Sequence, residues 1–191
     1  QVDLAEGLRP FSPQDYSVTS PPAILGDLVI TGAMVLDRTH DHMPSGVVRA
    51  FDARSGALVW YWDAVAPGTQ AEFDADGKPR YRRGTTNVWS IISVDAERNL
   101  VFLPTGNTST DFFGGKRNGV DDFYSSSVVA LKGDTGEVAW HFQMVHHDIW
   151  DYDTPAQPTL FELERDGRTI PALAQPTKMG HLFILNRETG E

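Results

Sequence analysis

"AFDARSGALVW" (50–60) and "ALKGDTGEVAW" (130–140) are two copies of one pattern, and their repetition decides how this 191-residue chain folds. Each copy opens on alanine and an apolar residue, passes through a polar turn ending in glycine, and closes with an apolar run on tryptophan. "ILNRETGE" (184–191) is the first part of a third copy. Such a segment reads as a β-hairpin: an apolar strand, a turn whose glycine (Gly56, Gly136, Gly190) supplies positive φ, and a returning strand. Ala50 to Ala130 is 80 residues and Ala130 to Ile184 is 54, so one structural unit recurs with insertions of different length.

Between the copies, "AILGDLVITG" (23–32), "WSIISVDAERNLVFLPTG" (89–106) and "PTLFELERDGRTIPALAQ" (158–175) each show two short β-rich runs around an Asp-containing turn. The chain therefore reads as all-β: three four-stranded antiparallel meanders, at about 17–62, 89–142 and 158–191, the last incomplete. Similar sheets carrying one tryptophan each point to β-propeller blades, with Trp60 and Trp140 packed between neighbours. The competing architecture is a β-sandwich with two fortuitously similar hairpins. A closed propeller needs at least about four blades, so three leave sheet edges open to association.

Composition narrows the function classes. Sixteen basic against 26 acidic residues give a formal charge of −10, which does not fit a nucleic-acid partner, because phosphate binding needs a basic surface. The absence of cysteine removes thiol catalysis, thiolate metal sites and disulfides together. No apolar run approaches the length of a transmembrane helix. The start "QVDLAEGLRP" lacks a signal-peptide pattern, and the end falls inside a repeat, as expected of a piece of something longer.

Chemistry is sought in the polar insertions at 33–45, 63–88, 107–124 and 143–157, since loops on a rigid scaffold carry most binding groups. In "MVHHDIWDYDTPAQP" (144–158), His146, His147 and Asp148 are metal-ligand types, but adjacent residues of an extended chain point to opposite faces. Loop-holding hydrogen bonds are the commoner fate of such histidines. Asp151, following Trp150, reads either as a partly buried general base or as a turn-capping aspartate. Taken singly, Lys178 reads as a solvated lysine, Trp89 as core and Asn107 as a turn residue.

Taken together, "SGVVRAFDARSGALVW", "GTTNVWS", "LPTGNTSTDFFGG", "YSSSVVAL", "TGEVAWHFQMVHHDIWDYDTPAQPTL" and "PTKMGHLFILNRETGE" resemble the membrane-bound quinoprotein dehydrogenases, in order and over nearly the whole chain from Ser17. The resemblance implies part of an eight-bladed propeller that binds pyrroloquinoline quinone (PQQ) and oxidises glucose, or quinate and other polyols, passing electrons to ubiquinone. Transmembrane helices ahead of the domain would place it on the periplasmic side of a bacterial inner membrane. Asp151 matches the general base, Lys178 the lysine beside the reactive quinone oxygens, and Trp89 the tryptophan that stacks on the cofactor. Asn107 and Asp37 match ligands of a Ca²⁺ or Mg²⁺ ion, and Thr19 a cofactor contact.

One departure concerns the metal. Glucose-oxidising relatives tend to have Asn after this Asp, whereas Arg38 follows Asp37 here, a cation that would repel the ion; His40, Asp41 and His42 are the nearest compensating groups. Glucose is the favoured substrate, quinate or shikimate the alternative, and the 191-residue piece alone is expected to be inactive. A non-enzymatic propeller scaffold is the reading from another class, but it gives no chemical reason to keep Asp151, Lys178, Trp89 and Asn107 in order.

Overall fold

The structure is a computed structural model that describes residues 1–37, 40 and 42–191. Its described residues form three successive antiparallel sheets and two small two-residue ladders. Strands Ala23–Leu25, Leu28–Thr31, Val48–Asp52 and Leu58–Trp62 make the first sheet. Ser93–Asp95, Leu100–Pro104, Ser127–Lys132 and Val138–Gln143 make the second, and Thr159–Arg165, Arg168–Pro176 and Leu182–Asn186 the third. Helix is confined to Gly119–Asp122 and two 3₁₀ turns among the described residues. The all-β propeller expectation therefore holds at the level of antiparallel meanders arranged in sequence.

The middle sheet is buried on both faces, which explains why its strands read as unbroken apolar runs rather than alternating ones. Along Leu100–Pro104, Val101 and Leu103 join Ile30, Val48, Ala50 and Trp60 in a core shared with the first sheet. Phe102, pointing the other way, joins Val128, Ala130 and Trp140 in a core shared with Leu173 and Leu185 of the third. The Ala of each repeat lies directly across from its Trp, Ala50 opposite Trp60 and Ala130 opposite Trp140. A methyl group opposite an indole lets the two strands stay paired, and both ladders shift register immediately after that alanine.

Each tryptophan reaches the turn of the next sheet. Trp60 Nε1 donates to the Gly133 carbonyl at 2.8 Å, and Trp140 Nε1 donates to the Arg187 carbonyl at 3.0 Å. Residues 133 and 187 occupy the same place in the second and third repeats. Both turns close with the same backbone bond, Gly136 N to Lys132 O and Gly190 N to Asn186 O. The indole faces lie on these glycines: a Cβ on Gly136 would sit 2.6 Å from the Trp60 ring, and one on Gly190 2.7 Å from that of Trp140. Glycine is demanded twice, by the contact and by φ of +72° and +79°.

Gly136→Ala is expected to lower stability by about 2–5 kcal/mol, the sum of a left-handed alanine and an overpacked interface. Gly26→Ala, at φ +58° with nothing within 4 Å, keeps only the backbone cost of about 1–2 kcal/mol. Urea midpoints of the two variants check this; equal losses would show that the indole does not press on the turn.

Candidate functional site

Residues 84–88, "GTTNV", fall in the polar insertion expected at 63–88, yet Gly84 to Val88 are buried. Several of its polar groups bond neighbouring backbone, while Thr85 Oγ1 bonds the side chains of Ser45 and Asp63. Thr86 Oγ1 donates to the Gly106 carbonyl, Gly106 N donates to Asn87 O at 2.7 Å, and Asn87 Nδ2 donates to Val35 O at 3.3 Å. Gly46 permits the closest approach, since a Cβ there would lie 2.0 Å from Thr86 O. This segment ties the connection after the first sheet to the loop leaving the second, and it leads into Trp89.

Trp89 is held from two sides. Its carbonyl accepts from Thr19 Oγ1 at 3.0 Å and from Ser20 Oγ, and its indole Nε1 donates to Asp153 Oδ2 at 2.8 Å. The other oxygen of Asp153 lies 2.5 Å from Lys178 Nζ, and the same ammonium stands 3.1 Å from Asp151 Oδ2. Trp89, Asp153, Lys178 and Asp151 thus form one chain of contacts. Burial pulls the Lys178 ammonium down, but its bonds to Asp153 and Asp151 outweigh that and leave it raised above the usual lysine value. Burial likewise raises the Asp153 carboxyl, against the pull of Lys178 and Trp89.

Asp151 sits at φ +60°, a left-handed backbone uncommon for a residue with a side chain, between Trp150 and Tyr152. Those two rings are exposed and stack on each other at 6.3 Å. The turn is shaped by buried Asp148: Oδ1 accepts from Trp150 N at 2.9 Å and Oδ2 from Tyr152 N at 2.7 Å and Ser126 Oγ at 2.9 Å. His147 Nδ1 meets Asp122 Oδ2 at 2.6 Å, a loop tie rather than a shared ligand set with His146 and Asp148.

Three carboxylates converge next to this chain of contacts. Oxygens of Asp37, Asp111 and Asp151 all lie within 4.8 Å of one another. At that spacing each ionised pair repels by about 3 kcal/mol at an effective dielectric near 20, more than one hydrogen bond repays. Burial first, then the charge of Asp37 and a carboxyl–carboxyl hydrogen bond with it, then the charges of Asp151 and Asp153, push the Asp111 carboxyl up to about 8. A shared proton or a bound cation relieves such a cluster, and its hard oxygens suit Ca²⁺ or Mg²⁺.

The structure thus brings together Asp151, Lys178, Trp89, Thr19 and Asp37. Asn107 lies beside them with its amide turned inward, where Oδ1 accepts from the Arg117 guanidinium at 2.9 Å. Arg38 and Asp41 lie outside the described residues; His40 Nε2 stands 3.8 Å from Asp15 Oδ2. Asp111, Asp153 and Arg117 were missed from sequence. For Asp153 a signal existed in its place two residues after Asp151, although the left-handed backbone at Asp151, not strand alternation, brings the two carboxylates to Lys178. A cavity of about 770 Å³ lies elsewhere, lined by Arg49, Phe51 and Tyr81, and its ionic groups pair locally, Lys78 with Glu6 at 2.6 Å and Arg9 with Asp3 at 2.8 Å.

Over its full length the chain is 41% identical to the glycerol dehydrogenase large subunit of Gluconobacter thailandicus, covering 26% of that protein. It is 40% identical to the quinate/shikimate dehydrogenase (quinone) of Acinetobacter baylyi and 37% to the quinoprotein glucose dehydrogenase of Escherichia coli, again over the full chain and 24% of each. The chain therefore spans about a quarter of the length of these relatives. Among solved structures, the quinohemoprotein alcohol dehydrogenase of Comamonas testosteroni superposes with a TM-score of 0.78 at 26% identity, over 98% of this chain and 29% of that one. Since residues 1–191 match throughout, the chain belongs to the family described as PQQ: glucose/ethanol/alcohol dehydrogenase, β-propeller domain.

Proposed function

We propose that the protein carrying this chain is a PQQ-dependent dehydrogenase that oxidises a hydroxyl of a small polyhydroxylated substrate. The observation that carries this reading is the Asp151 carboxylate 3.1 Å from the Lys178 ammonium, beside Trp89 and a cluster of carboxylates. A pure scaffold has no use for a base and a half-buried cation held side by side.

PQQ, when bound, supplies the two-electron acceptor. Trp89 offers a flat indole fixed at its edge by Asp153, a rigid surface for a planar group. Lys178, kept protonated by two carboxylates, presents positive charge where negative charge accumulates, and preorganised charge of this kind stabilises a transition state without reorganisation. Asp151 takes the proton of the substrate hydroxyl, and the exposed rings of its chain neighbours Trp150 and Tyr152 offer apolar contact surface. A Ca²⁺ or Mg²⁺ fits the neighbouring carboxylates, Asp37 and Asp151 among them, and supplies Lewis acidity there.

Glucose, glycerol and quinate are the candidate substrates that the relatives' names bring forward. Glucose is our first choice from sequence motifs, while the identities favour glycerol and quinate at least equally; a substrate panel on the complete protein separates them. Ubiquinone as electron acceptor and a site on the periplasmic side of the bacterial inner membrane belong to the same proposal. No described helix is long and apolar enough to cross a membrane, so attachment would come through segments outside these 191 residues.

Asp151→Asn in the complete protein should lower kcat by about 10²–10⁴, the usual range for loss of a general base, while PQQ affinity changes little. Undiminished turnover would remove Asp151 from the chemistry. Asp153→Asn keeps an acceptor for Trp89 but withdraws the charge that raises Lys178, so the Lys178 pKa falls and the alkaline limb of the kcat–pH profile moves to lower pH. An unmoved limb would show that Asp153 does not act through Lys178.

A further inference from the structure

The family resemblance puts Asn107 among the ion's ligands, and the structure gives its amide other partners. Nδ2 donates to the carbonyls of Asp111 at 3.3 Å and Asp148 at 3.0 Å. Oδ1 accepts from Thr108 N at 2.8 Å, Arg117 Nη1 at 2.9 Å and Ser125 Oγ at 3.0 Å. Arg117 is locked in place, its side chain only 1% exposed, with further bonds to Asp122 Oδ1 at 3.1 Å and the Asp148 carbonyl. A second cation on Oδ1 would face a buried guanidinium and displace it from an oxygen it already uses.

Asp111 shows the opposite situation. It is 2% exposed, and its Oδ2 is a buried oxygen with no hydrogen-bond partner. That carboxylate belongs to the group in which Asp37, Asp111 and Asp151 each bring an oxygen within 4.8 Å of the others. Buried oxygens without a donor are rare because each forfeits its hydration; a proton shared with Asp37 serves only the other oxygen of Asp111, whereas a cation shared with two more carboxylates also satisfies Oδ2.

We infer that Asp111, not Asn107, completes the cation site with Asp37 and Asp151. Asn107 is then a positioning residue: its Nδ2 holds the Asp111 carbonyl and so sets where the carboxylate points. Three carboxylates give the site one more negative charge than two carboxylates and an amide, and oxygen ligands of this kind favour a hard divalent ion. The inference rests on the proposed reading that the site takes such an ion, and it is tested without PQQ so that the two can fail separately.

The experiment is calorimetric titration of Ca²⁺ into the complete, chelator-stripped protein without PQQ, for wild type, Asp111→Asn and Asp111→Ala. Melting curves without Ca²⁺ show which variants are folded, and the Ca²⁺-induced rise in Tm is the second readout. Folded variants are expected to bind Ca²⁺ at least tenfold more weakly than wild type and to lose most of the Tm rise. Wild-type-like affinity in either variant would overturn the assignment of Asp111 while leaving a cation site in place. Failure of the wild type to bind Ca²⁺ would overturn both that assignment and the metal in the proposed function, but not the PQQ reading, which the Asp151→Asn kinetics test.

Discussion

Everything in this chain depends on an indole pressed onto a glycine turn of the next sheet. Trp60 bonds the Gly133 carbonyl and lies on Gly136; Trp140 bonds the Arg187 carbonyl and lies on Gly190. The indole N–H finds an acceptor that would otherwise be an orphan of the turn, and the ring covers a place where only a residue without Cβ fits. Because each contact joins one sheet to the next, it sets their spacing and rotation as well as their stability. The cores between sheets then follow, with alternate residues of the middle strands packing left and right.

That spacing builds the site, because no single segment contains it. Asp37 comes from the connection inside the first sheet, Trp89 from the link between first and second, Asp111 from the loop after Pro104, Asp151 and Asp153 from the link to the third sheet, and Lys178 from within the third. The hydrogen bond between Trp89 and Asp153 crosses 64 residues. Five acidic or basic groups gathered from so many places repel or attract strongly at short range. Asp153 and Lys178 neutralise each other, whereas Asp37, Asp111 and Asp151 accumulate negative charge that calls for a proton or a cation.

The hairpins were legible in the sequence because their cause is local: a glycine needing positive φ, a strand on each side, and an alanine placed opposite a tryptophan. "RDGR" turns where it was expected, with Asp166 and Gly167 both at positive φ. Asp151, Lys178 and Trp89 were singled out through family resemblance; local chemistry read Lys178 and Trp89 as ordinary and left Asp151 open between a general base and a turn cap. Asp111 and Arg117 stayed hidden because their meaning comes from burial by a loop 30–40 residues further on, of which a polar, glycine-rich stretch gives no sign. The same burial diverts Asn107 to Arg117, a contact that no motif comparison contains.

The most direct measurement is anomalous diffraction from crystals of the complete protein loaded with Ca²⁺ and PQQ. The account predicts one calcium peak at about 2.3–2.6 Å from oxygens of Asp37, Asp111 and Asp151, with Lys178 still between Asp151 and Asp153. A peak ligated by Asn107 Oδ1, with Arg117 displaced, or no peak among these carboxylates, would contradict it.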